Sequence, residues 1–108
     1  MEVFYRVEGT IWYKNSEAKV QSLQACLWEC FGISSDILVK DEKSTRKIGI
    51  QFSFYKKEEE YGFVEAIIYL LQSGMTPEDG EVIFANSHNG ERQYFICGGR
   101  FVSNERYS

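Results

Sequence analysis

Between Phe84 and Phe101 the sequence reads FANSHNGERQYFICGGRF, gathering the chain's single histidine, His88, with Cys97, the pair Gly98-Gly99 and Arg100. A thiol with an imidazole is the composition of a nucleophile and its base, and paired glycines beside an arginine are that of an anion cradle. Spacing argues against both. Asn89-Gly90 is the strongest two-residue hairpin signal a sequence offers, because both residues accept positive φ. A turn there sets His88 opposite Glu91, Ser87 opposite Arg92, Phe84 opposite Phe95 and Val82 opposite Cys97. Cys97 then lies about 20 Å along the ladder from His88 at ~3.3 Å per residue, whereas a thiol and its base must meet at about 3 Å. The expectation is a core Cys97, a solvated His88 beside Glu91, and a bend or bulge at Gly98-Gly99, which no helix follows to complete a phosphate loop.

The remaining chemistry-bearing groups are as sparse. Cys26 and Cys30 stand at i, i+4 on an expected helix, but two thiols without a nearby histidine fall short of the three or four ligands zinc takes, so buried apolar filling is the reading. Carboxylates are plentiful, yet none stands in an apolar setting that would raise its pKa into a catalytic range. No serine elbow, phosphate loop or metal signature occurs. The chain reads as non-enzymatic, with no cofactor and no metal, the alternative being an enzyme whose catalytic residues converge from distant segments and form no readable motif.

Bulk composition narrows the partners. The 108 residues include 44% hydrophobic ones, 17 aromatics and one proline, enough to form one domain with an aromatic-rich core. Sixteen acidic against twelve basic residues give a net charge of −4, which repels phosphate backbones. The stretch KIGIQFSF, where an RNA-recognition sheet would carry base-stacking aromatics, presents Gly49, Gln51 and Ser53 outward, so nucleic acid is not the expected partner. Three cysteines at unpatterned spacing suit reduced thiols, mainly buried. No apolar run reaches the ~20 residues that span a bilayer and the start lacks a secretory layout, so no membrane contact and a cytoplasmic location are expected.

The elements that must position these groups follow from periodicity. Residues 2–14 alternate, with Val3, Tyr5, Val7, Ile11 and Tyr13 on one face and Phe4, Arg6, Glu8, Thr10, Trp12 and Lys14 on the other, which predicts a half-buried strand with a bulge at Gly9. Val20, Leu23, Leu27 and Phe31 predict a helix over 17–31 closed by Gly32. Residues 36–41 and 48–55 form a hairpin through EKST, 42–45. Residues 59–73 predict a second helix, whose opening glutamates suit the positive end of its dipole. TPEDG, 76–80, reads as a turn before two last strands, and 102–108 as a polar C-terminal tail.

The order strand-helix-strand-strand-helix-strand-strand points to a single α+β domain over 1–108. It suggests a ferredoxin-like sandwich with an added C-terminal strand, two helices covering one face of an antiparallel sheet. Function then falls to the surface. Phe4, Arg6, Glu8 and Trp12 share the face away from the expected core, with Gln51 and Tyr55 beside them. Aromatic and arginine anchors are the residue types that dominate protein-protein hot spots. Asn86, His88 and Arg92 at the polar hairpin tip form the second candidate surface. The expected role is protein binding, as an inhibitor, immunity or anti-defence factor acting on a basic, nucleic-acid-handling target. The competing reading is a dimeric module that senses a small ligand between helix and sheet, and a homodimer mate is the other candidate cover for the aromatic face.

Overall fold

A computed structural model describes residues 3–14, 17–43, 45–58, 62–73, 76–86 and 90–106. Its elements in chain order are β1 (Val3–Lys14), α1 (Glu17–Phe31), β2 (Asp36–Glu42), β3 (Thr45–Glu58), α2 (Phe63–Gln72), β4 (Pro77–Asn86), β5 (Gly90–Cys97) and β6 (Arg100–Arg106). The six strands form one open antiparallel sheet in the order β2-β3-β1-β4-β5-β6, an α+β architecture with two helices.

Period-two alternation sorts the sheet into two faces. Val7, Ile11 and Tyr13 of β1, Ile48, Ile50 and Phe52 of β3, and Val82 and Phe84 of β4 point to one side and are buried. Against them pack Val20, Leu23 and Leu27 of α1, Ile33, and Val64, Ile67, Ile68 and Leu71 of α2. Each wholly buried branched side chain contributes roughly 1.5–3 kcal/mol through loss of apolar contact with water. Tyr13 adds a polar tie, since its hydroxyl donates to the Leu71 carbonyl in the last turn of α2. Arg46 of β3 lies 3.5 Å from Glu17 at the start of α1.

Several expectations give way at the sheet's second half. The segment 76–80 does not turn but opens β4 at Pro77, a position where a strand needs no donor. The irregularity in β1 falls at Trp12/Tyr13 opposite β4, while Gly9 keeps regular pairing with Phe52 and Val82. Gly9 and Gly80 instead allow β1 and β4 to approach: a Cβ on Gly9 would stand 2.6 Å from the Glu81 carbonyl oxygen, and one on Gly80, whose φ is +131°, 2.1 Å from the Thr10 carbonyl oxygen.

The two-residue turn forms at Gly98-Gly99, not Asn89-Gly90. Both glycines have positive φ, 61° and 76°, and Cys97 pairs with Arg100 across them, which is the backbone requirement of a tight hairpin. Residues 100–106, expected partly as tail, are therefore a sixth strand, paired along its whole length with β5. Asn86 pairs with Gly90, so 87–89 join β4 to β5 and lie outside the described residues. Helix α1 keeps its expected bounds. Helix α2 spans Phe63–Gln72 after Gly62, whose φ is +88°, while β3 runs on to Glu58 opposite Val3 and residues 59–61 lie outside the described ones.

Candidate functional site

The shift of the β4-β5 ladder redistributes the opening stretch. Phe84 stands opposite Arg92 and Val82 opposite Tyr94, three residues out of the two-residue-turn register. An odd shift reverses the faces of a strand. Tyr94 and Ile96 consequently turn toward the core, where the Tyr94 ring meets Phe84 edge-on at 5.9 Å, and Phe95 and Cys97 turn outward. Cys97 is exposed, contrary to the core position expected of it.

The other thiols are corrected in the same direction. Cys26 is half-buried and Cys30 exposed. Each stands one position before a residue of the buried stripe, Leu27 and Phe31, and so is turned about 100° from it. Among the described residues no group of three or more His, Cys, Asp or Glu side chains could hold a metal ion.

Arg92, assigned to the hairpin tip, lies instead on the helix side of β5. Its Nη1 is 3.0 Å from Glu65 Oε1 in the first turn of α2 and 3.4 Å from the Tyr94 hydroxyl, so it fastens β5 to α2. Asn86 ends β4 with its backbone opposite Tyr5 and Gly90. His88 lies outside the described residues. Arg92 thus belongs to the helix-covered face of the sheet.

The face opposite the helices keeps the other five candidates together in two groups. At one end of β1, Arg6 stands opposite Tyr55, and the Phe4 and Tyr55 rings stack at 6.0 Å while remaining 38% and 70% exposed. Arg6 Nε is 3.9 Å from Glu8 Oε1. About 27 Å along β1, at ~3.4 Å per residue, Trp12 lies half-buried across Gly49 with Lys40 Nζ 5.5 Å from its ring. A Cβ on Gly49 would come within 2.8 Å of the indole, so the glycine makes the seat for the ring. Because β5 and β6 extend the sheet sideways, the C-terminal strands do not fold over this face, and both helices pack on the other one.

Between the two groups lies a shallow concavity of about 510 Å³ that sequence reasoning missed. Glu8, Thr10, Asp36, Gln51, Ser53 and Glu81 line it from four strands, with Ser34 and Ser35 at its edge. Thr10 stands opposite both Gln51 and Glu81, and Gln51 opposite Asp36, so one row across the sheet carries two carboxylates and Glu8 adds a third from the next row. Gln93 donates to Glu81 at 2.7 Å. Only knowledge of strand order could have brought Asp36 and Glu81 to Glu8, since they are far apart in sequence.

The concavity presents carboxylates, an amide and hydroxyls, of which the Ser35 Oγ is buried, with the Phe4-Tyr55 pair and Trp12 outside them. Compared with protein-family models, with curated proteins and with solved structures, the chain matches none. No described helix is long and apolar enough to cross a membrane.

Proposed function

We propose that this chain is a non-enzymatic protein-binding module whose outer sheet face docks a basic partner, in the manner of an inhibitor, immunity or anti-defence factor working in the cytoplasm. The observation that carries the reading is the carboxylate-lined concavity of Glu8, Asp36 and Glu81 between aromatic anchors, the exposed Phe4 and Tyr55 on one side and the half-buried Trp12 on the other. Carboxylates so placed receive lysine or arginine side chains and steer an oppositely charged partner, while the rings supply the desolvated anchors on which affinity depends. The net charge of −4 acts in the same sense. As for architecture, the order β2-β3-β1-β4 with α1 between β1 and β2 supports a ferredoxin-like sandwich, extended by two strands where one was expected.

The test compares capture of basic proteins from lysate by the wild type with capture by Glu8→Lys/Glu81→Lys and by Phe4→Ala/Tyr55→Ala. The expected result is a salt-sensitive partner retained by the wild type and lost by both variants, each of which keeps the wild-type urea midpoint. A partner retained equally by all three would sink the reading.

A second reading, a small-ligand module, is favoured by one observation, a groove of about 360 Å³ bordered by Leu23 and Cys26 of α1 and Leu70 of α2. It lies between the helices, not between helix and sheet. A metabolite panel in a thermal-shift assay tests it, and a ligand whose stabilisation vanishes in Leu23→Ala or Leu70→Ala would support it.

A further inference from the structure

Strand β2 ends the sheet on one side, and among the described residues no strand pairs with its outer edge. A strand edge exposes a row of backbone donors and acceptors and is a template for another strand. Val39 on this strand is 51% exposed, and the run Ile37-Leu38-Val39 is the apolar centre of an otherwise charged segment, DILVKDE.

A two-fold axis perpendicular to a sheet pairs edge strands antiparallel and keeps each face on its own side, so the register must centre on a residue. Centred on Leu38, β2 is self-complementary: Asp36 meets Lys40 of the second copy, Ile37 meets Val39, Leu38 meets itself, and the last two pairs repeat the first two in reverse. Two opposite-charge pairs then flank three apolar ones, the combinations that stabilise directly opposed positions. Centring on Val39 would oppose Asp36 to Glu42 and Ile37 to Asp41. The other edge of the described sheet, β6, centred on Ser103 would oppose Arg100 to Arg106, and centred on Val102 would form no opposite-charge pair.

The neighbouring strands sharpen this choice. Lys14, Lys47 and Lys40 stand in one cross-strand row, since Lys47 is opposite both of the others. The Leu38-centred register sets the second copy's Asp36 opposite Lys40 at the outer end of that row, an opposite-charge pair.

We propose that β2 is a self-pairing edge through which two copies of this chain join about an axis at Leu38, merging two six-stranded sheets into one of twelve. The pairing is short, so the dimer forms and dissociates with concentration. Asp36 also lines the outer concavity and Lys40 lies over Trp12, so the pairing is read from self-association of the chain alone, with no partner present.

Sedimentation equilibrium over a wide concentration range tests this on the whole chain. The wild type should pass from 12.6 kDa to twice that mass as concentration rises. Asp36→Lys and Lys40→Asp should each weaken association at least ~tenfold by opposing like charges, and the double swap should return it to within ~threefold of the wild type. Val39→Lys should also dissociate the dimer, and urea midpoints near the wild-type value show that the exposed changes leave the fold intact. A chain that stays monomeric throughout, a dimer indifferent to both single reversals, a double swap that fails to restore pairing, or a dimer dissociated by Val102→Lys in β6 would each overturn the proposal.

Discussion

Replacing Tyr13 by Phe tests how the central strand holds α2. Tyr13 is 1% exposed, and its hydroxyl donates to the carbonyl of Leu71. That carbonyl belongs to the last turn of α2, whose final C=O groups have no partner inside the helix, so the phenol serves as its cap. Tyr13→Phe keeps the ring and opens no cavity. It leaves a buried acceptor unpaired, which costs about 1–3 kcal/mol. The pH dependence supplies an independent check. Burial holds the Tyr13 phenol well above the ordinary tyrosine value, favouring the neutral form in the folded chain. The unfolded chain therefore releases this proton first as pH rises. The stability linked to the neutral phenol is complete below about pH 10 and is lost above it, by up to ~1.4 kcal/mol per pH unit. Phenylalanine cannot titrate, so subtracting the variant isolates Tyr13 from the other tyrosines and the lysines. Urea unfolding of both proteins between pH 7 and pH 11.5 should give a steady wild-type advantage up to about pH 9.5 that shrinks beyond pH 10. A neutral-pH difference under about 0.5 kcal/mol, or one that stays level through the alkaline range, would refute the cap.

Gly9→Ala should cost about 3 kcal/mol or more, because the new methyl meets backbone of β4, whereas Gly49→Ala should cost about 1 kcal/mol, since the Trp12 ring it meets can swing on the open face; urea midpoints that rank them otherwise would contradict the β1-β4 approach. Thiol titration of the native chain should give fast labelling at Cys30 and Cys97 and slower labelling at Cys26, and a protected Cys97 would restore the two-residue-turn register. Arg92→Ala should lower stability by no more than about 1 kcal/mol, as its pair with Glu65 is open to solvent, and should leave partner binding unchanged; loss of binding would return Arg92 to the docking surface.

How much was legible from residues alone depended on how far each signal reaches. The faces of β1 and β3 and the span of α1 were written in local periodicity, because a strand repeats every two residues and a helix every 3.6, whatever lies nearby. The outer face with Phe4, Arg6, Glu8, Trp12 and Tyr55 followed from that alternation without knowledge of pairing. Register did not. Tyr94-Phe95-Ile96-Cys97 is a continuous apolar run that can present either Tyr94 and Ile96 or Phe95 and Cys97 to a core, so its pattern does not choose a face. Two glycine-containing turn signals competed, and the chain closes its two-residue turn at Gly98-Gly99, joining Ile96 to Phe101 on the core side and Phe95 to Val102 on the other. The choice rests on the sheet as a whole, since Tyr94 beside Val82 and against Phe84 completes the buried layer only in the three-residue-loop register. The same order of strands assembles Glu8, Asp36 and Glu81 into one concavity and leaves β2 as an open edge. Local chemistry specified the elements and their faces, whereas contacts between residues distant in sequence, which only packing brings together, set the register and composed the site.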